Sequence, residues 1–124
     1  MAAGSDALGR AWEHDSAGRE AEAVIEYRAA FEAGIDEEDR PGAMLGFGST
    51  LRNVGELEES ERVLREAVTR YPDDAAMRVF LALTRWERDD KGGAWRELVE
   101  ALFRADAPGM ARYERAIRGD SAEL

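Results

Sequence analysis

His14 is followed by Asp15, a pairing used at metal-dependent hydrolytic centres. Such centres need further nitrogen or sulfur ligands. His14 is the only histidine and there is no cysteine, so no metal site is expected and the pair reads as polar residues of one helix. Gly46-Phe47-Gly48-Ser49-Thr50 has the glycines and hydroxyls of a phosphate loop. It lacks the Gly-Lys-Ser/Thr ending and any preceding strand. Ser49 as a nucleophile would need a base, and the single histidine lies on another helix. Twenty-seven acids guarantee paired carboxylates by abundance alone, so none of them points to acid–base work. No catalytic residue, cofactor or enzyme activity is expected. The residues that remain are binding types: Trp12, Trp86, and Arg52 beside Asn53. Tryptophan and arginine dominate contact energies at protein interfaces, and a guanidinium next to an amide can grip a carboxylate.

These side chains sit in a chain of 124 residues, 44% hydrophobic and 35% charged, with mean hydropathy -0.52. That length and composition predict one domain spanning 1–124 with a real core. No apolar run approaches the roughly 18 residues of a membrane span. The first residues, Met1-Ala2-Ala3-Gly4-Ser5-Asp6, carry neither a basic stretch nor an apolar one, so no export signal is read there. With no cysteine to form disulfides, a cytoplasmic location is expected. The net charge of -10 and pI of about 4.6 oppose contact with nucleic acid or anionic membrane. Charge is uneven: residues 1–40 hold eleven acids against four arginines, whereas 75–124 hold nine acids and nine bases. An acidic face of this kind solubilises, or steers a basic partner. Sixteen arginines against one lysine, with abundant alanine and glycine, point to GC-rich coding and a bacterial source.

Two constant steps run through the chain. Gly18 matches Gly55 and then Asp89; Ala11 matches Gly48 and Ala82; Ala23 matches Ser60 and Ala94; Tyr27 matches Leu64 and Leu98; Ala30 matches Ala67 and Ala101. Each first step is 37 residues and each second step 34, which marks repeats of one supersecondary unit. The repeats fall at about 4–37, 41–74 and 75–108, with a last segment at about 109–118. Within a repeat the apolar residues follow helical spacing: Leu57, Val63, Leu64, Ala67, Val68 and Tyr71 form one stripe. Met77, Phe80, Leu81, Leu83, Thr84 and Trp86 are apolar almost all round, as for a helix packed on both sides. Helices are predicted near residues 5–17, 19–33, 41–54, 56–71, 75–89, 92–105 and 109–118, with no strand. Pro41 suits a first helical turn, and the acids of Tyr71-Pro72-Asp73-Asp74 suit a helix restart.

The small matched residues set the packing. Two helices of a hairpin approach closely only where side chains are tiny, so Ala11, Gly48 and Ala82 should face Ala23, Ser60 and Ala94. Tyr27, Leu64 and Leu98 should fill the space between them, and Phe31, Phe47 and Phe103 should join the core. One hairpin cannot bury its own apolar face, so the hairpins must stack and the last needs a cap. Residues 110–118 read as that cap, with Met110, Tyr113, Ala116 and Ile117 on one face and Trp95 packed against it. Residues 119–124 are expected to fray.

On these residues the sequence resembles a tetratricopeptide-repeat protein with three repeats and a capping helix. The second repeat carries Phe47-Gly48, Leu51, Gly55, Leu64, Ala67 and Pro72; the third carries Leu81-Ala82, Ala94, Leu98 and Ala101 but has Asp89 at the turn; the first has Arg10 beside Ala11. The stretch from Arg40 to Gly55 resembles a family of small bacterial tetratricopeptide domains, which implies no reaction. The resemblance implies an all-α, right-handed superhelix of helix hairpins whose first helices line a concave groove. The groove positions would be Leu8, Trp12 and Asp15 in the first repeat, Leu45, Ser49, Arg52 and Asn53 in the second, and Val79, Leu83 and Trp86 in the third, beside Ala76 and Glu87. The lysine and asparagine clamp by which some members hold a chaperone's C-terminal carboxylate is absent. Leu8, Trp12, Leu45, Ser49, Ala76 and Phe80 occupy its places. The expectation is therefore a scaffold or adaptor that presents its groove to a peptide or helix of another protein. The alternative is a homodimer assembled through the end faces of the array.

Overall fold

The computed structural model describes residues 1–124 and is all-helical. The helices are α1 (Ser5–Ser16), α2 (Glu20–Ala33), α3 (Arg40–Asn53), α4 (Leu57–Arg70), α5 (Ala75–Glu87), α6 (Lys91–Arg104) and α7 (Glu114–Ser121), with a 3-10 turn at Ala111–Tyr113 before α7. Each predicted helix is present within a few residues except the last, which starts later and runs further. The contacts divide the chain into two compact units, Met1–Val63 and Leu64–Leu124, with the boundary inside α4.

In the first unit α1 and α2 form a hairpin and α3 packs across both. Ala11 and Ala23 are fully buried, which lets the two backbones close on each other, and Tyr27 and Leu51 fill the volume above them. Tyr27 and Phe31 both stack on Phe47 of α3, with ring centroids 5.6 and 5.4 Å apart. Gly46 is required at this crossing, because a methyl group on it would overlap the Tyr27 hydroxyl. Pro41 sits in the first turn of α3, where its missing N–H leaves nothing unpaired. The matched set is buried throughout this unit and α4: Ala30, Ser60, Leu64 and Ala67 have no exposed surface. Ser60 keeps its polarity satisfied by donating to the Gly48 carbonyl at 2.7 Å.

The hairpin turns repeat one hydrogen-bond pattern. The amide of Arg19 donates to the His14 carbonyl at 2.8 Å, Glu56 to Leu51 at 2.9 Å, and Asp90 to Arg85 at 2.9 Å. In each case the preceding residue has positive φ: Gly18 at 78°, Gly55 at 87° and Asp89 at 63°. This is the helix stop that favours glycine, and the third repeat makes it with an aspartate. The left-handed conformation costs an L-residue on the order of 1 kcal/mol, less for aspartate than for most. The Asp89 carboxylate is almost fully exposed, with only a 4.0 Å contact to Lys91 in return. Asp89→Gly should therefore stabilise the chain by about 0.5–1 kcal/mol, read as a higher urea midpoint. A lower midpoint would show that the carboxylate holds the turn.

In the second unit α5 and α6 form a hairpin closed over Ala82 and Ala94. Asp74 and Asp90 cap the two helices by accepting from the amides of Met77 and Gly93. On one side Arg78, almost wholly buried, donates to Glu97 at 3.0 Å and to the Pro72 carbonyl, and Arg85 donates to Glu97 at 3.1 Å. The last residues, expected to fray, are bonded to α6. Ser121 is buried, its hydroxyl accepting from the Trp95 indole at 2.9 Å and donating to the Ile117 carbonyl, while Arg96 reaches the carbonyls of Ser121 and Leu124. These bonds, invisible in a polar tail sequence, pin α7 to α6. Arg118 adds a 2.6 Å contact to Glu100 and lies 4.9 Å from the Phe103 ring centroid.

The Arg118 hydrogen bond holds the Glu100 carboxyl below its usual range against the opposing effect of burial. A depressed carboxyl contributes stability above the unfolded value, about pH 4.3, and loses it as pH falls through the lower folded value. Glu100→Gln should thus be less stable than the parent at pH 6, with the gap narrowing as the pH falls below about 4. Denaturant melts at pH 6 and at successively lower pH test this; a gap that does not change with pH would remove Glu100 from α7 docking.

Candidate partner-binding surface

The side chains that the sequence offers for binding take different places. In the first unit Leu8 is 2% exposed and belongs to the core, so it offers no contact surface: α3 covers its face of the hairpin. Asp15 is a structural acceptor, taking the Tyr27 hydroxyl at 2.8 Å and the Thr50 hydroxyl at 3.2 Å. Burial first, and then this bond, push the Tyr27 phenol far above its ordinary range, so it stays a donor at any physiological pH. Ser49 turns its hydroxyl inward to the Gly46 carbonyl, and Leu45 is half-buried. Arg52 is half-buried and already engaged within the protein. Asn53 donates to Glu20 at 2.8 Å. Trp12 remains substantially exposed beside the start of α3. The ring nitrogen Nδ1 of His14 accepts from Arg19 at 2.8 Å, which ties the histidine to the turn.

The second unit differs. Val79, Leu83 and Trp86 lie one helical turn apart along α5 and are all exposed, Trp86 to 55%. The all-round apolar character of this helix was expected to mean packing on both sides; one side is bare. With Ala82, Ala94 and Leu98 these three residues line a hollow of about 350 Å³ between α5 and α6, its walls wholly apolar. Leu98, matched to Tyr27 and Leu64 and so expected in the core, is 38% exposed, and Leu102 one turn on is exposed as well. Lys91 lies 4.9 Å from the Trp86 ring centroid at one end, a cation held over an indole face.

Leu98 and Leu102 are binding candidates that the sequence reading missed. The signal was available in the last segment. Arg115 stands 34 residues beyond Leu81 and 68 beyond Phe47, where an apolar residue would have to enter the hollow. An arginine does not fill it, and α7 packs instead on α6 through Trp95, Glu100 and Phe103. An uncovered apolar surface of this extent on a small chain is a mark of an interaction site.

A family model described as tetratrico peptide repeat matches residues 4–124. The chain belongs to the tetratricopeptide-repeat family. No curated protein matches it. Tetratricopeptide repeats are in general protein–protein interaction modules on non-catalytic scaffolds, and the paired helices with small residues at their crossings follow that plan. No helix of this tetratricopeptide-repeat chain is long and apolar enough to cross a membrane.

Proposed function

We propose that this tetratricopeptide-repeat protein is a cytoplasmic adaptor that captures a peptide or helix of a partner protein on its first helices. Val79, Leu83 and Trp86 are the principal anchors, and Trp12 is an exposed anchor on the first unit. Arg52 and Asn53 form a polar edge of secondary weight, since both already have partners inside the protein. The observation that carries the reading is the row of large apolar side chains left bare along α5. Burying such a row returns about 25 cal/mol per Å² of apolar surface, and a tryptophan in it is the type that dominates interface energies. The surroundings set no strong charge preference: residues 64–124 hold twelve acids against eleven bases.

A photo-crosslinking residue at Leu83, compared with one at Ile25, tests the reading. Ile25 is 65% exposed on α2. In cells of the source organism a discrete protein adduct is expected from position 83 and none from position 25. Equal adducts from both, or an adduct from position 25 alone, would contradict it.

A further inference from the structure

The hollow in the second unit has a filled counterpart in the first. The two repeat steps together separate Leu8 from Val79, Trp12 from Leu83, Asp15 from Trp86, Tyr27 from Leu98 and Phe31 from Leu102. In the first unit α3 lies on this face: Leu8 and Tyr27 are sealed, Phe31 and Asp15 are largely covered, and Trp12 alone stays as exposed as its match. In the second unit all five positions are 38–55% exposed. The same hairpin face is thus seen once with a helix on it and once without.

We propose that the bare face of α5 and α6 seats one amphipathic helix from a partner protein, which inserts an aromatic side chain, flanked by small residues, against Leu98 and Leu102, as Phe47 stacks on the matched Tyr27 and Phe31. This rests on the adaptor reading and names its ligand. The helix α3 supplies the template, with Phe47 inserted between Ala43 and Gly46 on one side and Thr50 on the other. Gly46 is needed in α3 because of the Tyr27 hydroxyl. Leu98 has no such group, so the partner helix can carry alanine there and be a better helix than α3 itself.

A second copy of the chain is a poorer occupant. Two copies meeting through this face would set hollow against hollow, and a void of that kind forfeits the contacts of every atom lining it. Packed on the α1 and α2 surface of another copy, the face would cover the exposed Arg10–Glu26 ion pair. Burying that pair costs more than its Coulomb attraction returns. A single convex helix has neither penalty, and helix-in-groove capture is the recognition mode that such a surface serves.

The test uses a synthetic peptide copying residues 39–56 with Gly42→Ala, Gly46→Ala and Gly48→Ala to favour the helix, titrated into the full chain by fluorescence anisotropy. Saturable binding is expected. It should weaken at least tenfold with Phe47→Ala in the peptide, or with Leu98→Glu or Leu83→Arg in the chain, and stay unchanged with Ile25→Glu. Both chain variants alter exposed positions, and far-ultraviolet circular dichroism checks their folding. Absence of saturable binding, or binding indifferent to Leu83→Arg and Leu98→Glu, would overturn the proposal. So would concentration-dependent dimerisation of the chain abolished by Leu83→Arg, which would assign the face to a second copy. Crosslinking from position 83 to a cellular protein without peptide binding would overturn the helix seat and leave the adaptor function standing.

Discussion

Tyr27→Ala should cost about 3–5 kcal/mol of stability, the range for removing a large aromatic from a core. The ring has no exposed surface and stacks on Phe47 at 5.6 Å. Truncation would open a cavity under α3 where that helix meets the hairpin, and the rigid backbones of Ala11 and Ala23 cannot close it. The hydroxyl adds a separate contribution, since it donates to Asp15 at 2.8 Å. Without it the half-buried carboxylate keeps the Thr50 hydroxyl as its donor. Tyr27→Phe should therefore cost about 1.5–3 kcal/mol, the loss of one hydrogen bond to a carboxylate. Urea unfolding of the three proteins measures both. A loss below about 1 kcal/mol for the alanine variant would contradict the packing described.

Ala67→Leu should destabilise the chain by about 1–3 kcal/mol through overpacking. Ala67 is fully buried in α4, as Ala30 is in α2, and Ala101 is nearly so in α6. The shared burial at the repeat steps means that the position is small because a helix crossing requires it. Three further carbons find no free rotamer there. Ala29→Leu, at an exposed position of α2, should change stability by less than about 0.5 kcal/mol. If the two leucine variants melt together, the repeat register is wrong.

The repeat steps carried most of the fold because they encode constraints that each residue meets locally. A glycine or aspartate is tolerated at positive φ, and an alanine or serine at a close crossing. Such requirements survive in any context, so Gly18, Gly55 and Asp89 mark the turns and Ala11, Ala23 and Ala82 the crossings. Leu98 shows where that logic ends. Its identity is right for a core position, but burial depends on what packs next, and no residue of the last segment lines the hollow beside it. Ser121 shows the reverse: a polar residue in an apparent tail becomes buried once Trp95 and Arg96 satisfy it. The candidate site was half legible. Val79, Leu83 and Trp86, assigned to the groove by the resemblance to tetratricopeptide repeats, are exposed, whereas Leu8 and Asp15, assigned by the same register, are taken up by the core and by Tyr27. Register assigns a face of a helix; it does not say whether another helix lies on that face.

The chain contains three tryptophans, and their indole N–H signals give a direct test of where a partner binds. Trp86 is exposed on the proposed seat, whereas Trp95 donates its indole N–H to Ser121 on the α7 side. In a two-dimensional nitrogen–proton spectrum of the labelled chain, titration with the residue 39–56 peptide should move the Trp86 indole signal and leave that of Trp95 in place. A Trp86 signal unmoved at saturating peptide, or a shift confined to Trp95, would contradict the assignment of the binding surface to α5.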